Sequence, residues 1–203
     1  MFGWSNEVAR LISMLTASAL SLALASRSQR LLQLATRDPL TGLFSQGYVD
    51  DRFAVELSRA RRYDKVLTVA VIDADRFKSL NDKHGHQVGV LALQKIGALL
   101  RDSFRQSDTA GGYGGEEFVV ILPETDMAAQ QKLESLRESV ASTPIVLATS
   151  GQKIQVTIGA GLASFPLDRE SAAELFALAD DRMFQAKREG RNRVIAGSEA
   201  VLS

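Results

Sequence analysis

A small set of acidic residues and glycines stands out by type and spacing. Asp73 closes an apolar, β-rich run from Val66 to Ile72, and Asp75 follows two residues on. A carboxylate at the end of a buried strand serves either as a turn or capping residue or as a ligand for Mg²⁺, which takes one or two carboxylates and then substrate phosphates. Alone, Asp73 fits the first use. The run Gly114-Gly115-Glu116-Glu117-Phe118 shifts the balance toward the second. Two glycines between strand-forming segments predict a tight hairpin with positive φ, a conformation glycine adopts at low cost. A turn without Cβ atoms also lets a flat or phosphorylated ligand approach the backbone. Two acids directly after the turn repel each other unless a cation or hydrogen-bond donors lie between them. A plain hairpin with solvated acids is the alternative, but the apolar run Phe118 to Leu122 sets the pair at the start of a core strand.

The elements that must position these residues follow from periodicity. A turn at Arg37-Asp38-Pro39, where proline disfavours helix before it, precedes an expected helix from Tyr48 to Arg62. The run Val66 to Ile72 reads as a strand buried on both faces. Polar residues Asp75 to His86 are read as a connection, followed by a helix from Val88 to Phe104. Strands flank Gly111 to Gly115, a helix covers Met127 to Val140, and strands are expected at Ile145 to Ala148 and Lys153 to Ala163. A last helix, Ser171 to Arg188, leads to a short strand, Arg193 to Ala196. This order predicts an α+β domain with helices packed on a largely antiparallel sheet.

The chain has 203 residues, 45% hydrophobic and 24% charged, enough for one packed domain plus an extension. Its formal net charge is zero, which provides no field for nucleic acid, so an anionic ligand must be held by a few placed groups. The absence of cysteine excludes a disulfide framework and a thiolate metal site, and fits a reducing compartment. Residues 1–36 form the extension, with no charge between Arg10 and Arg27. That run is shorter than the roughly 20 apolar residues of a membrane span. It fits either the end of a membrane helix that begins ahead of residue 1 or a parallel helical dimer. For the dimer, Leu11, Leu15, Ser18, Leu22, Ala25, Gln29 and Leu32 form the seam.

Several segments in register resemble one family. The turn Arg37-Asp38-Pro39-Leu40-Thr41-Gly42-Leu43 looks like its opening motif. Asp73 to Asp82 and Gly85-His86-Gln87-Val88-Gly89 match its nucleotide-binding segment, and Gly114 to Phe118 matches its signature. Ala186 to Val194 resembles its C-terminal phosphate-contacting stretch. The family is that of GGDEF diguanylate cyclases, and the resemblance covers residues 37–197, leaving 198–203 as a tail. It implies a nucleotide-cyclase-like fold with a ferredoxin-like core, acting in the cytoplasm or at the inner face of the plasma membrane. It also implies a homodimer that joins two GTP into cyclic di-GMP. Asp73, Glu116 and the Ala74 carbonyl would hold Mg²⁺, with Mn²⁺ as an alternative, and Glu117 would lie by the attacking ribose. Asn81 would bond guanine; Gly114 and Gly115 would admit the nucleotide. Phe77 and Lys78 would offer backbone N–H groups to the phosphates, and Lys187 and Arg191 would grip them. Arg105 and Asp108 match the family's product-inhibition pair, which clamps the guanines of cyclic di-GMP.

Three departures fall on the ligand side. Val90 stands where typical members have Asp, Gly112 where they have Arg, and Ser45-Gln46-Gly47 where they have Asn-Arg-Arg. A hydrogen bond to a charged group is worth roughly 1.5–3 kcal/mol, so Val90 predicts weaker GTP binding and blunter discrimination of guanine. The sequence therefore predicts a cyclase of reduced activity or relaxed specificity. The alternatives are a catalytically silent receptor for GTP or cyclic di-GMP and, more remotely, a membrane-tethered dimerisation scaffold.

Overall fold

The computed structural model describes residues 8, 10–18, 20, 21, 36–125, 127–147 and 150–197. The chain divides into two units, residues 1–36 and 37–203. In the first, residues 10–18 are helical with exposed side chains. Leu11, Leu15 and Ser18 of the expected seam lie in this stretch; Leu22, Ala25, Gln29 and Leu32 fall outside the described residues. Among the described residues no helix is long and apolar enough to cross a membrane.

The second unit is an α+β domain. Its elements run α1 (Gln46–Tyr63), β1 (Leu67–Ala74), α2 (Phe77–His84), α3 (His86–Ser103), β2 (Thr109–Gly112), β3 (Glu117–Pro123) and α4 (Met127–Ser142), then β4 (Ile145–Val146), β5 (Lys153–Ile154), β6 (Ile158–Phe165), α5 (Ala172–Arg188) and β7 (Arg193–Ile195). One five-stranded sheet has the order β2-β3-β1-β6-β7, and β4-β5 form a separate pair. β1 sits at the centre, antiparallel to both β3 and β6, whereas β7 joins β6 in parallel.

All eight residues of β1 are buried, as a strand covered on both faces requires. Ala70, Ile72 and Ala74 face a core shared with Phe118, Val120 and Leu122 of β3 and with α2, α3 and α4. Leu67, Val69 and Val71 face the other core with α1 and α5. The period-two alternation of a strand divides the two sets. Helix α5 packs close to the sheet at Gly161, where an added Cβ would lie 2.1 Å from the Ala179 carbonyl oxygen and 2.2 Å from the Met183 nitrogen.

Two expectations are corrected. The strand expected from Lys153 to Ala163 is broken at Gln155–Thr157, and its halves belong to different sheets. Just outside β6, the Thr157 carbonyl accepts the Asp75 N–H at 2.9 Å and extends the β1–β6 register by one pair. The connection from Asp75 to His86 contains helix α2, whose one buried residue is Phe77. With so narrow an apolar face its sequence shows little periodicity.

Candidate active site

Strand β1 delivers Asp73 and Ala74 to one end of the sheet. Glu117 pairs with Asp73 across the β1–β3 ladder, and the Ala74 N–H donates to the Glu116 carbonyl at 3.1 Å. The acids at 73, 116 and 117 therefore come from neighbouring strand ends. Lys187, in the last turn of α5, brings its Nζ to 2.5 Å from Asp73 Oδ1. Asp73 is 3% exposed, and this oxygen makes no well-aligned hydrogen bond. Burial pushes its carboxyl up to about 6; the Lys187 ammonium opposes the rise and the charges of Glu116 and Glu117 add to it. The strand-end acid thus stands in a surplus of negative charge that one ammonium only partly offsets.

The hairpin differs from its sequence expectation. Neither Gly114 nor Gly115 has a positive φ. Glycine at 114 answers a close approach instead, since a Cβ there would sit 2.7 Å from Glu117 Oε2, whereas one at Gly115 would meet nothing within 4 Å. The Glu117 carbonyl accepts from both Tyr113 N (2.9 Å) and Gly114 N (3.3 Å) and closes the loop.

Helix α2 starts at Phe77 and Lys78 without a side-chain cap, after Arg76 in the left-handed region at φ 55°. Its first N–H groups lack intrahelical partners and suit an anion. Asn81 lies in the same helix. Its Oδ1 is buried without a partner, pressed against Gly89 of α3, where a Cβ would come within 2.0 Å of that oxygen. A cavity of about 460 Å³ runs from the Asp38–Thr41 turn to Gly112–Gly115 and includes Leu40, Leu93 and Phe118. Leu40 stands in the opening motif without an expected site role and Leu93 lies in no motif, because an apolar wall carries no signal apart from its neighbours. Both Gly112 and Gln46, two of the departures, line this cavity. Asp38 shapes its rim through bonds from Leu40 N (3.0 Å), Thr41 N (3.2 Å) and Thr41 Oγ1 (2.6 Å).

Asp75 organises the far side. Its Oδ2 accepts from Thr157 Oγ1 at 2.7 Å and from the Asn192 N–H at 2.9 Å, tying β1 to the loop that carries Arg191. Arg191 and Asn192 are both left-handed, with φ 67° and 45°. The Asp-x-Asp spacing marked Asp75, but not its partners 82 and 117 residues away.

Not every expected residue meets the others. Asp108 precedes β2, and its Oδ2 accepts from Lys132 Nζ at 3.1 Å and from the Arg105 N–H at 3.1 Å, with its side chain 1% exposed. Its carboxylate is thus committed to Lys132, a partner absent from the motif. Among the described residues no three acidic or histidine side chains converge as a closed metal cage. The donors present still fit a hard cation such as Mg²⁺, which needs few protein ligands. Asp73 offers a buried, poorly satisfied carboxylate oxygen, and Glu116 lies beside it.

The fold and these strand-end acids define a nucleotide-cyclase-like domain. Residues 35–193 match the family model described as "Diguanylate cyclase, GGDEF domain", and the chain belongs to that family. It is 39% identical over 163 residues to diguanylate cyclase DgcP of Pseudomonas aeruginosa, covering 80% of this chain and 24% of that protein. Diguanylate cyclase A of Treponema denticola is 34% identical over 178 residues, covering 85% of this chain and 47% of the relative. The chain thus spans a quarter to a half of the length of these curated relatives. Its structure resembles the coiled coil and GGDEF domain of DgcB from Caulobacter crescentus, solved in complex with c-di-GMP. The TM-score is 0.84 and the identity 27%, over 93% of this chain and 98% of that one.

Proposed function

We propose that this domain condenses two GTP into cyclic di-GMP as a homodimer, with weakened GTP binding and reduced guanine discrimination. The reading is carried by the buried Asp73 carboxylate, flanked by Glu116 and Glu117 and faced by Lys187. Mg²⁺ or Mn²⁺ would be held by Asp73, Glu116 and the Ala74 carbonyl, and when bound would neutralise the triphosphate and lower the pKa of the ribose 3′-hydroxyl. Lys187 then leaves Asp73 and turns to the phosphates, joined by Arg191 and the open N–H groups of Phe77 and Lys78. Asn81, whose oxygen lacks a partner, meets the base. Glu117 lies by the attacking ribose. One domain holds one GTP, so bond formation needs two copies facing each other, and the N-terminal helix raises the effective concentration of the second half-site. The coiled coil that precedes the GGDEF domain of the DgcB relative supports that role.

The second reading is a silent receptor, favoured by Val90 on α3 and Gly112 in the cavity wall. There Arg105 and Asp108 would bind cyclic di-GMP once Asp108 exchanges its bond to Lys132. Mass spectrometry of products from GTP, and separately from ATP, with Mg²⁺ decides between the readings. Cyclic di-GMP from the purified dimer supports the cyclase. Calorimetric binding of cyclic di-GMP without turnover, while the Val90→Asp, Gly112→Arg variant is active, supports the receptor.

A further inference from the structure

A second cavity, of about 450 Å³, shares no lining residue with the one at the Gly114-Gly115 turn. One wall is α2, where Arg76, Leu80 and Lys83 recur at helical spacing on a single face. The opposite wall is the broken segment from β5 into β6, and Gly190–Asn192 closes one end.

Its charge is one-sided in a chain whose formal net charge is zero. Arg76, Lys83, Lys153 and Arg191, with His84, line it against one acid, Asp75. Among the described residues none of these five basic side chains makes an ion pair or hydrogen bond. Unpaired cations gathered around a concave surface repel one another, and an anion relieves that repulsion. Arg76, Arg191 and Asn192 also hold left-handed backbone, a strain that clusters at ligand sites.

Asp75, the one acid here, is 7% exposed, with its Oδ2 already filled by Thr157 and Asn192. Leu80, Ile154 and Val156 supply apolar lining, and the volume falls in the range of small-molecule sites. We propose that this cavity binds a small phosphate ester, its phosphate held by Arg76, Lys83 and Lys153 and its carbon skeleton packed on Leu80, Ile154 and Val156. The site stands whether or not the domain cyclises GTP, and its three phosphate-holding residues do not include Arg191, which the proposed function places on the GTP phosphates.

Titration of the isotope-labelled full chain with ribose 5-phosphate, followed by amide NMR, tests this. Saturable shifts are expected at Lys83, Gln155 and Thr157, with Gly114 and Gly115 unmoved. Inorganic phosphate is expected to move the same signals at higher concentration, since it has no carbon skeleton to pack on Leu80, Ile154 and Val156. The Lys83→Ala, Lys153→Ala variant, its fold verified by an unchanged amide spectrum elsewhere, is expected to bind ribose 5-phosphate about tenfold more weakly. Absence of saturable shifts, shifts confined to the glycine turn, or unchanged affinity in the variant overturns the proposal.

Discussion

Asp73 combines burial, like-charged neighbours and one ammonium, and each has a measurable consequence. Asp73→Asn removes a penalised charge, so the variant is expected to fold at least as stably at neutral pH while losing more than about a hundredfold in cyclase rate. Mg²⁺ with GTP is expected to raise the melting temperature of the parent and not of the variant, because only a ligand held by the folded state stabilises it. Gly112→Arg has room, since a Cβ there would meet Asp38 Oδ2 at an ordinary 3.4 Å. Combined with Val90→Asp, it is expected to tighten GTP binding by roughly tenfold or more, checked by calorimetry. Lys132→Ala is expected to free Asp108 and strengthen cyclic di-GMP binding; unchanged affinity would remove Asp108 from the clamp. At this scale the sequence displayed the acids, because a carboxylate after a buried run is conspicuous. It did not display Lys132 over Asp108, and it misassigned the reason for Gly114, since a close approach by Glu117 is a three-dimensional fact.

Elements with wide apolar faces were legible. Helices α1, α3, α4 and α5 and strands β1 and β3 lie within a few residues of their expected positions. What escaped was α2, nearly all polar, and the break between β5 and β6, where uninterrupted alternation concealed a change of sheet. Both matter for the site, because Thr157 in the break and Asn192 after α5 meet on Asp75. Asp75→Ala leaves a hydroxyl and an N–H without their acceptor, at an expected cost of about 2 kcal/mol. Faster hydrogen exchange at Asn192 and a higher KM for GTP would mark loosening of the Arg191 loop. Gly161→Ala drives a methyl into the backbone of α5 and is expected to cost about 3 kcal/mol, read by denaturant unfolding.

Two cores, one on each face of the sheet, hold the molecule together, and charge pairs at its margins tune it to pH. Burial alone would raise the Asp168 carboxyl, but bonds from Arg182 (2.6 and 3.0 Å) and from Ser164 N (2.8 Å) outweigh it and hold it below the usual carboxylate range. A depressed acid stabilises the fold above its unfolded pKa, and that contribution is lost as pH falls through the folded value. Asp168→Asn is therefore expected to lower the melting temperature at neutral pH and to converge with the parent in acid. The fold class was legible from the order of elements. The parallel addition of β7 was not, because a three-residue strand carries no sign of the neighbour it joins.

The bond from Asn192 to Asp75 spans 117 residues. During vectorial synthesis β1 leaves the ribosome long before the Gly190–Asn192 loop exists. A nascent chain halted ahead of that loop has Asp73 and Asp75 but neither Asn192 nor β7, so Asp75 Oδ2 lacks one of its two donors. The strand-end arrangement is completed late, with the last strand.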